Sequence, residues 1–132
     1  MPTATPHFHA LVWIDHSQAK VFHLNATESD LKNIPSTHPH QHLHHHANSR
    51  DDGHAAVDKE FLKKVSQALG DAGAILITGP SSAKTELVSY INHSHPDIAK
   101  RISGIETLDH PSDGELVAHA RKFFKADDRM HS

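Results

Sequence analysis

Apolar and polar residues alternate along the first third of the chain. In residues 8–15, FHALVWID, Phe8, Ala10, Val12 and Ile14 share one face of a strand and Leu11 and Trp13 the other. Both faces are apolar, which predicts a central strand covered on both sides. The next gap, HSQ, leaves room only for a tight hairpin before AKVFHLN, where Ala19 and Val21 alternate with Lys20, Phe22 and Leu24. SDLKNIPST predicts a short third strand. Pro35 belongs at its end or on an edge, because proline has no N–H to offer a neighbour.

The period then changes. Val57, Phe61, Val65 and Leu69 recur every four residues and are joined by Leu62 and Ala68, so AAVDKEFLKKVSQALGDAG predicts an amphipathic helix stopped by Gly70 or Gly73. AILIT, residues 74–78, is an unbroken apolar run, as expected of a strand buried on both faces. GPSSAKTELVSYINHS turns into a second helix with Leu87, Val88 and Ile91 inward. Ser94 and Pro96 mark the start of a short helix, PDIAKRI. ISGIETL reads as a weaker strand interrupted by Gly104. HPSDGELVAHARKFF predicts a last helix, with Ser112 and Glu115 as a capping box and Leu116, Val117, Ala120, Phe123 and Phe124 as its apolar stripe. KADDRMHS reads as a polar tail.

Hairpins first and crossovers second predict an α/β fold with a mixed sheet. The order β-β-β-α-β-α-β-α corresponds to a ribonuclease-H-like five-stranded sheet with packed helices. A length of 132 residues fits one domain over residues 1–132. At that size about two thirds of the unfolded chain's surface is buried.

Residues 36–55 break both periods, with Leu43 their only large apolar residue. A structureless stretch of this length inside a compact domain is functional or flexible. Seven of the sixteen histidines lie within residues 38–54, HPHQHLHHHANSRDDGH. They change the charge picture. The net charge is −3 with histidine neutral, which argues against a general nucleic-acid coat. An unperturbed imidazole titrates near pH 6.5, about where mild acid would add several positive charges to this segment.

The absence of cysteine removes disulfide partners, thiolate zinc sites and cysteine nucleophiles, and fits a reducing, cytoplasmic setting. No basic-then-apolar leader opens the chain, and no apolar run approaches the roughly 18 residues of a membrane span, so no membrane partner is expected.

Three constellations offer chemistry. GPSSAKT, residues 79–85, follows a buried strand and opens a helix, where a phosphate loop would sit. It is one residue short of a Walker loop, and Ala83 replaces the second glycine. The plain alternative is a turn with a serine cap at Ser81 or Ser82. Between these, helix amides with Ser81, Ser82 and Lys84 would hold a single anion such as an RNA phosphate. Asp15, Glu60 and Asp109 are the carboxylates that a two-metal nuclease would draw on, but the buried strand ends in Thr78-Gly79 and supplies none. Asp15 reads equally as a turn residue beside His16. Finally, His38, His40, His42, His44, His45 and His46 are suitable ligands for zinc, nickel or copper. The segment has no visible second layer of hydrogen bonds to orient them, so an exposed loop is the competing reading. His93, His95 and His110 fit helix ends and turns, and His119 a half-buried or exposed position.

LVWIDHSQAKVFHL, the histidine-rich loop, EFLKKVSQAL, AILITGPSSAKTELVSYI and HPSDGELVAHA together resemble the bacterial relatives of the archaeo-eukaryotic peptide-chain release factors, often called translational machinery proteins. The resemblance is to the release factor's middle domain and covers residues 8–124. Its most specific part is the buried strand followed by GPSSAKTEL, which matches the family's strand, G-P or G-S turn and K-x-E-L helix start. It implies a ribonuclease-H-like fold and a loop, between the third strand and the first helix, that in true release factors carries a Gly-Gly-Gln tip for hydrolysis of peptidyl-tRNA. This chain has the histidine tract there, with Gln41 the nearby glutamine and no Gly-Gly-Gln. The expected function is therefore non-catalytic binding to ribosome or tRNA, with no required cofactor. Metal binding or buffering by the loop, with zinc or nickel, is the alternative. A hydrolase acting on RNA or a tRNA ester is a more distant one, and self-association stays open.

Overall fold

Five strands form one mixed sheet in the computed structural model: β1 (His9–Ile14), β2 (Gln18–Leu24), β3 (Ser29–Pro35), β4 (Ala74–Gly79) and β5 (Ile102–Thr107), in the order β3-β2-β1-β4-β5. The structure describes residues 8–25, 27–36 and 58–131, with side chains through Asp127. The histidine-rich segment, including His38, His40, His42, His44, His45 and His46, and the proposed first turn of the helix at 55–57 lie outside the described residues.

β1 is central, as its two apolar faces require. It pairs antiparallel with β2, setting Val12 opposite Val21, and parallel with β4, setting Val12 opposite Ile77. β3 is antiparallel to β2 and lies at one edge, with Pro35 as its last residue. β5 runs parallel to β4 at the other edge, with a register shift between Ile75 and Leu76.

The alternation of β1 and β4 divides the core in two. Ala10, Val12, Ile14, Ala19, Val21, Ile75 and Ile77 point to one side. There they meet α1 (Lys59–Leu69) through Phe61, Val65 and Leu69, and α2 (Ala83–Ser94) through Ala83, Leu87 and Ile91. The short α3 (Pro96–Ala99) adds Ile98, and Pro96 takes the first helical position, where its missing N–H costs nothing. Leu11, Trp13, Phe22, Leu24 and Leu76 point to the other side, covered by Leu116, Ala120 and Phe124 of α4 (Asp113–His131).

The helix ends obey local chemistry. Gly70 closes α1 with φ of +39°, a conformation that side-chain-bearing residues avoid. The expected capping box opens α4: Glu115 N–H donates to Ser112 Oγ at 3.1 Å, and Ser112 N–H donates to Glu115 Oε1 at 2.8 Å. The polar tail expected after Phe124 is instead helical, since α4 runs on to His131. Lys, Ala, Arg and Met are good helix formers, and no glycine or proline interrupts them.

Gly104 is explained by packing rather than by a turn. A Cβ there would lie 2.9 Å from Phe123 Cζ and 3.2 Å from Leu76 Cδ1. The missing side chain lets the Phe123 ring lie against the edge strand.

Candidate functional site

Strand direction decides which segments meet. β1, β4 and β5 run parallel, so Asp15, Pro80 and Leu108 all leave the sheet at one end. The β1–β2 hairpin turns at that end. β3 finishes there too, because Pro35 pairs with Gln18. Ser36 is buried and its N–H donates to Ser17 carbonyl at 2.8 Å, fixing the last described residue before the histidine-rich segment. α1 begins at this end as well: its far end returns to the start of the sheet, where Gly73 N–H donates to Phe8 carbonyl at 3.0 Å. Both attachment points of residues 37–57 therefore lie on the rim formed by the carboxyl ends of the parallel strands. In open α/β sheets this is the rim that binds ligands.

The strand-to-helix turn after β4 lies on the same rim. Gly79 has φ of +154°, and a Cβ added there would overlap the Ile14 carbonyl oxygen. The turn can leave β4 this close to β1 only with glycine. Thr78, fully buried beside it, donates from Oγ1 to Val12 carbonyl at 2.7 Å. The serine cap expected here does not form. Ser82, in the N-cap position of α2, is already helical (φ −75°, ψ −11°) and makes no side-chain capping bond. An N-cap side chain reaches the helix amides from an extended backbone, which Ser82 lacks. Its carbonyl instead accepts from Glu86 N–H at 3.0 Å. Ser81 is exposed, and Lys84 Nζ folds back to donate to Ser81 carbonyl at 2.8 Å. Ser81, Ser82 and Lys84 thus share one turn, with the ammonium held at the helix start.

Two further contacts shape the rim. His16 Nε2 lies 3.9 Å from Glu86 Oε2, linking the hairpin to α2. Trp13 sends its indole N–H to the carbonyls of Asp109 at 3.0 Å and Leu108 at 3.2 Å, with His110 tilted against its ring at 5.1 Å. Neither contact is visible in the sequence, because the partners are far apart along the chain.

The carboxylates are not a nuclease set. Asp15 Oδ1 accepts from Ser17 N–H at 2.8 Å and Gln18 N–H at 2.9 Å, which makes it the turn residue of the hairpin. Glu60 is exposed in the first turn of α1. Asp109 is an exposed carboxylate 3.1 Å from His110 Nδ1. Among the described residues, no three histidine or carboxylate side chains gather into a metal-binding cluster. Nor, among them, is any helix long and apolar enough to cross a membrane. His119, half-buried as expected, pairs with Glu106 Oε1 at 2.6 Å, tying α4 to the carboxyl end of β5.

No family model matches the chain, and no curated protein matches it by sequence. Solved structures do match. Pelota from Archaeoglobus fulgidus superposes with a TM-score of 0.62 at 14% identity, over 87% of this chain and 31% of that one. Pelota from Thermoplasma acidophilum gives 0.58 at 14% identity, over 87% and 32%. The archaeal translation termination factor aRF1 gives 0.57 at 16% identity, over 96% and 39%. The shared feature is the fold, and this chain spans about a third of the length of those proteins.

Proposed function

We propose that this chain is a translation-associated, release-factor-like protein that binds ribosome or tRNA without catalysing peptide release. The observation that carries the reading is positional. A segment with seven histidines in seventeen residues is attached at both ends to the carboxyl rim of a fold shared with an archaeal translation termination factor. The sequence resemblance assigns the peptide-release tip of true release factors to this segment. No two glycines are adjacent anywhere in the sequence, so a Gly-Gly-Gln tip is absent from it. Lys84 and the amides at the start of α2 supply a second contact on the same rim, suited to one RNA phosphate.

Co-sedimentation with ribosomes at pH 6 and low salt tests this. The intact protein is expected to pellet with ribosomes. Deleting residues 38–54 is expected to weaken the association strongly, and Lys84→Glu to weaken it further. Equal behaviour of intact and deleted protein, or no association of either, would reject the reading.

A second reading is favoured by six histidines within residues 38–46: the segment binds zinc, nickel or copper. Calorimetry on tag-free protein decides it. Affinity no better than that of an isolated peptide of the same sequence removes the fold from any role in metal binding.

A further inference from the structure

The two edges of the sheet are guarded unequally. β3 presents Asp30, Lys32 and a terminal proline, which are devices that keep an edge from pairing with another chain. β5, the outer strand on the other side among the described residues, reads ISGIET and carries no lysine and no proline. Its Ile105 is 50% exposed, more than any other large hydrophobic side chain among the described residues. The one carboxylate within it, Glu106, is drawn onto α4 by His119 at 2.6 Å. Leu108 N–H donates to Gly79 carbonyl, so residues in phase with Leu108 face β4. Ile105 lies out of that phase, and its own N–H and carbonyl point away from the sheet.

Charge selects the partner. Lys100, exposed, stands at the amino end of β5 and the exposed Asp109 just past its carboxyl end, whereas Arg101 and Glu106 are engaged within the chain by the Gly70 and Ala72 carbonyls and by His119. Antiparallel pairing about a two-fold axis sets the cationic end of one β5 against the anionic end of another. It also brings the two Ile105 side chains together. A parallel pairing would set like charges side by side.

We propose that β5 is a self-association edge, through which two copies of this chain join their sheets antiparallel into one continuous ten-stranded sheet. The contact is one strand wide, so the dimer is weak and concentration-dependent. It adjoins the histidine-rich rim at Asp109, but its centre at Ile105 lies along the outer edge of β5.

Sedimentation velocity on the full chain over a wide concentration range tests this. The expected result is a monomer–dimer equilibrium that weakens as salt is raised. Ile105→Lys is expected to leave only monomer over the same range, while Leu31→Lys, on the guarded edge, leaves the equilibrium unchanged. Asp109→Lys alone is expected to weaken the dimer, and Asp109→Lys with Lys100→Asp to restore it. Far-ultraviolet circular dichroism of each variant checks that the fold is kept. A monomer at every concentration overturns the proposal. So does a dimer indifferent to Ile105→Lys or lost in Leu31→Lys. Monomeric protein whose β5 amides become protected only on adding an extended peptide of another sequence would assign the edge to a foreign strand instead.

Discussion

Gly79 and Gly70 are both glycines with positive φ, yet they carry different burdens. At Gly70 the nearest atom to an added Cβ is Gln67 carbonyl oxygen at 3.5 Å, an ordinary contact. Gly70→Ala is therefore expected to lose on the order of 1–3 kcal/mol from backbone strain, with no clash added. At Gly79 the added carbon would overlap the backbone of β1, which cannot move without breaking the centre of the sheet. Gly79→Ala is expected to lose on the order of 1–3 kcal/mol from backbone strain alone, with the steric clash added. Urea unfolding of the two variants side by side measures the difference, and equal losses would show that the β1–β4 approach is not tight. Motif comparison identifies Gly79 as the first residue of a phosphate-loop-like turn. Its actual constraint comes from Ile14, on a strand that no local pattern links to it. For the same reason the Glu106–His119 pair and the grip of Trp13 on Leu108 and Asp109 could not be foreseen, whereas Asp15 as a turn residue could, its partners being two and three residues away.

At the scale of elements, periodicity carried most of the information. The two faces of β1, the burial of β4 and the inward stripe of α1 follow from spacing alone, because each element is long enough to show its period. Buried side chains there are expected to behave as core. Phe61→Ala on one side of the sheet and Leu76→Ala on the other, both fully buried, should each cost about 2–5 kcal/mol through cavity formation. A loss below that range in either would mean that its layer collapses to fill the space. The end of α4 shows no apolar period, so a polar tail is all that spacing predicts there, yet its seven polar-rich residues continue the helix because nothing stops them. Gly104 weakens the strand pattern of β5, because its purpose, room for the Phe123 ring, exists only in three dimensions. The histidine-rich segment joins two well-anchored elements, with Ser36 hydrogen-bonded at its entry and α1 packed at its exit. Deleting residues 38–54 and bridging with a short linker should leave cooperative thermal unfolding, since loop-closure entropy varies slowly with length. An insoluble or non-cooperative deletion variant would show that these residues pack against the domain.

For the whole molecule, topology places chemistry. Three parallel strands, one hairpin and the crossovers direct five chain segments to a single rim, so titratable residues meet there although the described residues form no metal-binding cluster. Trp13 is the chain's only tryptophan. It is 3% exposed, and its indole N–H is anchored to the backbone that leaves β5 at this rim. The molecule thus places its one indole fluorophore where its proposed partner would arrive. Emission from the native protein should be that of a shielded indole and move to longer wavelength on unfolding. A ligand that displaces residues 108–110 should change it without any label. The side chain that ties the rim to the core also serves as its optical reporter.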